Sequence, residues 1–340
     1  MAVPATGPPA VRPLCTPTDP GLAELSGLAS DGQRWYAVSD GGTRLRVLVL
    51  DPADCTVLDR ITAEVDPYDV EDLALARDGA LWLADTGDND LKRSTVALHR
   101  LAPDGGARLY RLTYPDGPHD TEALLLDHTG VPYLVTKELG VARVYRPSGG
   151  LAEPGPTPLA RVGTVRIEPT STPGGPVGTV GSVLITGGAV SSDGLVVALR
   201  TYTDAYLFSA PGGDVLAGLA TTPVRIPLPG EPQGEAVALT PDGTLLSGSE
   251  ELSGSAALSG SDVPAPVQRH PPIRGVSGVV ELVAPVTPVR PPAAGPARTP
   301  AAPVTHSDDD GLSPGTTALV VLGLAGLLAL LAARRRSRAR

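Results

Sequence analysis

Residues 71–85 read EDLALARDGALWLAD, and this stretch decides the fold. An acidic residue begins it, apolar residues alternate up to Asp78-Gly79, and a second apolar run follows. Asp-Gly between two apolar runs is typical of a β-hairpin, because both residues tolerate the positive φ of a tight turn. The stretch therefore predicts two antiparallel strands joined by a short turn.

A similar pattern occurs five times along the chain, with Thr129-Gly130 in place of Asp-Gly in the third repeat and Thr186 in place of the acidic residue in the fourth. The glycines that close the five turns are residues 32, 79, 130, 194 and 243, so the intervals are 47, 51, 64 and 49 residues. Repeats of about 50 residues with room for four strands are typical of β-propeller blades. We therefore predict an all-β fold, a β-propeller of five or six four-stranded blades over residues 21–283. A β-sandwich and a β-helix are the alternatives.

The composition agrees with many short strands and limits the partners. The chain has 40 Gly and 37 Pro but only one Met and one Phe, which favours turns and short strands over a helical bundle. Its net charge of −10 argues against nucleic acid as a partner, since phosphate binding needs a basic face. Cys15 and Cys55 either form one disulfide, if the domain is exported, or stay as two thiols.

The C-terminal region predicts a membrane anchor. Residues 316–333 read TTALVVLGLAGLLALLAA without a charge, and as a helix they would span roughly 27 Å, close to the thickness of a bilayer core. Residues 334–340 form a basic tail with five arginines, which should stay cytoplasmic and leave the bulk of the chain outside. Residues 284–315 read as a Pro/Ala-rich stalk.

This topology requires export. Residues 1–20 are expected to be an N-terminal arm that lacks the apolar core of a signal peptide, so we expect the leader to be missing from this sequence. We expect single-pass insertion in the cell membrane with an extracytoplasmic propeller. The alternative is tail-anchored insertion with the domain inside, which would violate the charge rule.

The phase of the repeat gathers acidic residues at one end of the propeller. Seven residues before each turn, four repeats carry a glutamate and the fifth carries Thr186. This position begins the inner strand of a blade, so the five side chains should converge on one channel mouth, where the second strands also end. Crowded carboxylates must take up protons or recruit a cation, and oxygen ligands favour Ca²⁺. Alternatively, each glutamate hydrogen-bonds the backbone of the neighbouring blade.

These positions define the predicted site. Its candidate metal ligands are Glu24, Glu71, Asp72, Asp85, Asp88, Asn89, Asp120, Glu122 and Glu235. Its candidate ligand-binding residues are Lys137, Arg200, Tyr202 and Glu250. The segment Asp85-Thr-Gly-Asp88-Asn89 has a spacing that suits a turn around a cation.

Several blocks resemble bacterial exported propellers, in particular relatives of the phytase-like and esterase-like propellers. The blocks are Glu71-Asp72-Leu-Ala, Asp85-Thr-Gly-Asp88-Asn89, Asp120-Thr-Glu122-Ala-Leu, Ala198-Leu-Arg200-Thr-Tyr202 and Gln233-Gly-Glu235-Ala. The resemblance covers roughly residues 22–283 and implies a calcium-supported site on one propeller face. Glu71, Asp72, Asp85, Glu122 and Glu235 are the carboxylates that match by position.

Two functions follow as hypotheses. The first is a membrane-anchored propeller that binds a small or phosphorylated ligand or a surface protein, with Ca²⁺ as the expected cofactor, and catalyses nothing. The second is a Ca²⁺-dependent phosphoesterase, with Lys137 and Arg200 holding the phosphate. Fold alone does not decide between them, because propellers host both binding and hydrolysis.

Overall fold

The computed structural model describes residues 10–251 and 270–283, which are rich in β-strands. In chain order the strands are β1 Arg12–Cys15, β2 Leu25–Ser30, β3 Trp35–Ser39, β4 Leu45–Leu50, β5 Val57–Ala63, β6 Val70–Leu75, β7 Leu81–Asp85, β8 Val96–Leu101, β9 Ala107–Thr113, β10 Thr121–Leu126, β11 Pro132–Thr136, β12 Val141–Pro147, β13 Thr157–Arg166, β14 Ile185–Val190, β15 Val196–Thr201, β16 Asp204–Ser209, β17 Val224–Pro227, β18 Gln233–Leu239, β19 Leu245–Glu250 and β20 Ile273–Val276. A short α-helix, α1 Val215–Leu219, lies between β16 and β17. Short 3-10 helices lie at Pro20–Leu22, Gly178–Val183, Pro211–Gly213 and Val280–Leu282.

The strands pair antiparallel in five groups of four, which we call blades 1 to 5. Blades 1 to 4 are β2–β5, β6–β9, β10–β13 and β14–β17, and blade 5 combines β18, β19 and β20 with β1. A short parallel pairing of β13 with β9 links blades 2 and 3 into one larger sheet. This count covers residues 10–251 and 270–283 only.

The first strands of the blades form a closed ring. In order, β2, β6, β10, β14 and β18 contact one another, and β18 contacts β2 again. Apolar side chains fill the space between neighbouring blades; Leu25 and Leu28 of blade 1, for example, pack with Ala236 and Leu246 of blade 5. Burial of this apolar surface holds the blades together. The predicted all-β propeller architecture is thus confirmed.

The repeated turn pattern forms the predicted hairpins. Each of the five turns joins the first and second strand of a blade. The five glycines at residues 32, 79, 130, 194 and 243 have φ values between 80° and 89°, the left-handed region that favours glycine. The sequence pattern therefore marks the end of every inner strand.

Blade 5 closes the ring with strands from both ends of the domain. The N-terminal strand β1 pairs with β20, so that Arg12 faces Gly275. Cys15 at the end of β1 forms a disulfide with Cys55, which lies in the turn between β4 and β5, with 5.6 Å between the Cα atoms. The disulfide therefore ties the closing strand of blade 5 to blade 1.

The predicted stalk, membrane span and basic tail lie outside the described residues. Among residues 10–251 and 270–283, no helix combines the length and the apolar character needed to cross a bilayer. The membrane anchor and the orientation derived from it stay predictions.

Candidate functional site

Three glutamates converge at the ring of inner strands. Glu71, Glu122 and Glu235 are fully buried, and one carboxylate oxygen from each lies within 4.8 Å of the other two. Each glutamate lies early in the first strand of its blade, where the pairing with the second strand shifts register. Such a bulge re-aims the side chain of the extra residue. The repeat thus turns equivalent positions of blades 2, 3 and 5 into one carboxylate cluster.

Hydroxyl side chains occupy the same position in the other two blades. Ser26 Oγ of blade 1 donates to Glu71 O at 2.8 Å, and Thr186 Oγ1 of blade 4 donates to Gly234 O at 2.8 Å. Both hydroxyls are buried and hold the backbone of the next blade. The carboxylate cluster is therefore confined to three of the five blades.

Glu24, predicted for this ring, is not at the equivalent position. Asp31 directly follows the last paired residue of β2, whereas Asp78 lies three residues beyond the last paired residue of β6. In the first repeat the position equivalent to Glu71 therefore lies five residues before the Asp of the turn, not seven. Ser26, and not the predicted Glu24, occupies it. Glu24 itself lies before β2, half-buried, where its carbonyl accepts from Asp40 N at 3.0 Å.

Lys137 places a positive charge on the carboxylate cluster. Its Nζ lies 2.7 Å from Glu122 Oε1, and both side chains are buried. The ammonium also lies 5.2 Å from the centre of the Tyr202 ring, in cation–π geometry. Burial alone would lower the pKa of Lys137, but the charges of Glu122, Asp120 and Glu235 and the nearby Tyr202 raise it well above its ordinary value of 10.5. Lys137 is therefore a resident cation of the cluster.

Gln233 connects Glu250 to the cluster. Its Nε2 donates to Glu235 Oε1 at 3.0 Å and to Glu250 Oε2 at 2.5 Å, and all three side chains are buried. Gln233 is absent from the predicted site because an amide carries no charge signal. Its position two residues before Glu235, on the same face of a strand, is the clue that sequence offers.

The acidic turn after β7 closes on an arginine. Asp85 Oδ1 lies 2.9 Å from Arg93 Nη2, and Gly87 O accepts from Arg93 Nη1 at 2.8 Å. The carboxylate of Asp88 accepts from the backbone N–H groups of Lys92 and Arg93. The predicted cation-wrapping turn thus holds the guanidinium of Arg93. Asn89 lies in the same turn, half-exposed.

Asp120 links this turn to the neighbourhood of Lys137. Its Oδ1 accepts from Asp88 N at 2.8 Å, and its carbonyl accepts from Lys137 N at 2.9 Å. Asp120 therefore positions two candidate segments, and it adds negative charge near the ammonium of Lys137.

Arg200 is a buried link between blades 4 and 5. Its Nη2 lies 2.7 Å from Glu231 Oε2, and its other nitrogens donate to carbonyls of both blades and to Ser247 Oγ. The side chain is fully buried, and the close approach of its guanidinium leaves no space for a β-carbon at Gly234. We therefore leave Arg200, predicted as a ligand contact, out of the binding set.

The donor set of the cluster suits a hard divalent cation. Calcium–oxygen distances of about 2.3–2.6 Å allow two ligands on opposite sides of an ion to lie about 5 Å apart. The three glutamate oxygens, which lie within 4.8 Å of one another, are close enough together to share one ion. A β-carbon on Gly87 would lie 2.5 Å from Asp69 Oδ2 and still closer to Glu71 Oε1, so Asp69 is a further nearby carboxylate that sequence did not indicate. The carboxylates outnumber the ammonium of Lys137, and this excess of negative charge favours a divalent cation.

Asp85 should make the domain acid-sensitive. Burial alone would raise the pKa of Asp85, but His99, Arg93 and the backbone N–H groups of Asp69 and Tyr68 lower it below its ordinary value of 3.8. A carboxyl with a lowered pKa in the folded state stabilises the fold above its ordinary pKa, and this contribution is lost as the pH falls through the folded-state value.

We therefore expect the unfolding free energy of the wild type to fall as the pH decreases below about 4, and Asp85→Asn to flatten this fall. Urea titrations across that pH range measure it. Glu64→Gln removes an exposed partner of Arg44 and serves as the control, since exposed pairs contribute little. Equal acid sensitivity in Asp85→Asn and the wild type would contradict this assignment.

Comparisons with known proteins identify no family for this chain. No family model matches it, and no curated protein matches it. Among solved structures it is similar to a luciferin-regenerating enzyme, with 14% identity, a TM-score of 0.46 and coverage of 80% of this chain and 96% of the other. It is also similar to the PQQ-bound aldose sugar dehydrogenase of Streptomyces coelicolor, with 12% identity, a TM-score of 0.41 and coverage of 80% and 99%. A streptogramin B lyase shares 12% identity with a TM-score of 0.37, covering 71% of this chain and 66% of the lyase.

Proposed function

We propose that the chain is a membrane-anchored, extracytoplasmic β-propeller that binds Ca²⁺ and, with it, a small ligand at the carboxylate cluster of Glu71, Glu122 and Glu235. The observation that carries this proposal is the convergence of three fully buried carboxylates within 4.8 Å. Buried carboxylates with one ammonium among them retain excess negative charge, and an oxygen-only donor set favours Ca²⁺.

The disulfide and the C-terminal sequence support the extracytoplasmic location. Disulfides form and persist in oxidising compartments, and Cys15–Cys55 is a disulfide between β1 and blade 1. The charge-free residues 316–333 followed by five arginines favour an anchor with its basic end in the cytoplasm.

The phosphoesterase hypothesis loses its supporting residues. It required Lys137 and Arg200 to hold a phosphate, but Lys137 pairs with Glu122 and Arg200 pairs with Glu231. Ligand binding with Ca²⁺ is therefore the function that we retain.

Calorimetric titration of the full-length chain, stripped of metal with EDTA, tests the proposal. We expect one Ca²⁺ site with a Kd at or below about 1 mM, the range of extracellular calcium modules. Glu122→Gln and Glu235→Gln should each weaken binding by at least about tenfold, since each removes a charge from the donor set. Glu138→Gln is the matched control, because Glu138 follows Lys137 directly but pairs with Arg143.

Lys137→Met sharpens the test. Without the ammonium, Ca²⁺ no longer competes with a positive charge for the three carboxylates, so its affinity should rise. The metal-free protein should become less stable, because its buried carboxylates lose their counter-charge. No Ca²⁺ binding by the wild type at millimolar concentration, or equal losses in Glu122→Gln and Glu138→Gln, would overturn the proposal. Hydrolysis of phytate or p-nitrophenyl phosphate that depends on Ca²⁺ would instead restore the phosphoesterase.

A further inference from the structure

Asp72 has a different environment from the glutamate next to it. Its side chain is fully buried, and its Oδ1 accepts from its own strand, from Leu73 N at 2.8 Å. Its Oδ2 accepts from Leu124 N of blade 3 at 2.7 Å and from Gly188 N of blade 4 at 3.1 Å. One carboxyl thus joins the inner strands of three blades, including blades 2 and 4, which are not neighbours in the ring.

The three donors are equivalent residues of their strands. In β6, β10 and β14 the pairing resumes after the bulge at Asp72, Ala123 and Gly187, and the donor N–H belongs to the following residue in each case. The fold symmetry therefore directs the same backbone group of three blades at one point inside the ring. Converging backbone N–H groups form a site for an anion.

Only one blade supplies an acid at this position. The equivalents of Asp72 are small: Gly27, Ala123 and Gly187, at which pairing also resumes after the bulge, and Ala236, which follows Glu235 as Asp72 follows Glu71. At Gly27 a β-carbon would lie 2.7 Å from Leu73 N, and at Gly187 it would meet Glu235 O still closer, so the inner strands leave little room for further side chains. Burial raises the pKa of Asp72 well above the ordinary 3.8, whereas the three N–H donors favour its charged form. Both carboxyl oxygens accept from N–H groups, so it is the geometry that supports a carboxylate here.

We infer that the centre of the ring is an anion site built from the N–H groups of Leu73, Leu124 and Gly188, and that the carboxylate of Asp72 is its resident anion. This inference deepens the proposed function, because Asp72 is a positioning residue for the carboxylate cluster. Glu71 precedes Asp72 directly, and Glu122 lies two residues before the donor Leu124. The bonds of Asp72 therefore fix the strand segments that carry two of the three glutamates.

Asp72→Ala with anion rescue tests the inference. Alanine is the residue at the equivalent positions 123 and 236, so the backbone accepts it, while the N–H groups lose their anion. We expect Tm to fall by about 10 °C, as several lost charge-assisted bonds imply, and Ca²⁺ affinity to fall by about tenfold or more. Sodium formate should restore much of both in Asp72→Ala. Sodium chloride at equal ionic strength, and formate added to the wild type, are the controls.

Asp72→Asn separates the anion site from simple packing. The amide fills the same space but turns an N–H₂ group towards N–H donors, so we expect a loss of Tm similar to that of Asp72→Ala and no rescue by formate. If Asp72→Ala does not fold unaided, its refolding yield from urea is compared in formate and in chloride. We expect the yield to be higher in formate.

Two outcomes would overturn the inference: wild-type stability in Asp72→Asn, or equal effects of formate and chloride on Asp72→Ala. If the wild type binds no Ca²⁺, the proposed function is wrong. The recovery of Tm by formate in Asp72→Ala then still tests the anion site.

Discussion

Replacing Arg200 with methionine is expected to lower the unfolding free energy by about 3–5 kcal/mol, because it leaves Glu231 as a buried charge without its partner. Glu231 is 2% exposed, and Ser247 Oγ donates to its other oxygen at 2.7 Å. The substitution also removes the hydrogen bonds that Arg200 Nη1 donates to the carbonyls of Ala236 and Gly248, at 3.1 Å each. Urea unfolding followed by circular dichroism measures the loss.

A double-mutant cycle makes this prediction specific. Glu231→Gln removes the charge but keeps an acceptor, so Arg200→Met combined with Glu231→Gln should be more stable than Arg200→Met alone. Arg44→Met is the control, since Arg44 pairs with Glu64 at 3.2 Å and both side chains are exposed. A loss in Arg200→Met no larger than in Arg44→Met would show that the buried pair is not the link between blades 4 and 5.

Removal of the disulfide is expected to cost about 4 kcal/mol of stability, the chain-entropy estimate for a loop of about 40 residues. Cys15 and Cys55 are 40 residues apart, and their bond holds β1 against blade 1. Cys15→Ser with Cys55→Ser should therefore unfold at lower urea concentration, with β1 the first strand to lose protection in amide hydrogen exchange.

Reduction of the wild type provides the comparison. Dithiothreitol should lower its urea midpoint to that of the double serine variant and leave that variant unchanged. Stability of the reduced wild type equal to that of the oxidised protein would contradict a role for the disulfide in closing the ring.

Much of the fold could be predicted from sequence because the repeat is carried by local turn chemistry. Asp-Gly turns mark the ends of inner strands, and the residue seven before the turn is the second or third residue of the inner strand in blades 2 to 5. The first blade departs from this spacing because Asp31 follows the last paired residue of its inner strand directly, whereas in blade 2 two residues intervene before Asp78. Register inside a hairpin depends on turn length, which a motif of two residues does not specify.

The chemistry of the site was harder to predict because it depends on partners that are distant in sequence. Asp72 stands beside Glu71 and looks like a second metal ligand, yet its partners are Leu124 and Gly188 of other blades. Arg200 is predicted as a ligand contact, but it forms a buried ion pair with Glu231, which lies 31 residues away in the sequence. By contrast, the convergence of Glu71, Glu122 and Glu235 follows from fold symmetry, which the repeat does reveal.

The closing blade also constrains the order of events during synthesis. The strand that begins at Arg12 finds its partner only when residues 273–276 are available, so this pairing cannot form before the rest of the domain has been synthesised. Pairing across nearly the whole domain is slow compared with hairpin formation, because the loop entropy is lost before the contacts are gained. Before residues 273–276 are available, blades 1 to 4 would form an open arc with exposed apolar edges. We expect chaperone demand to be highest in that interval and to end when β1 pairs with β20.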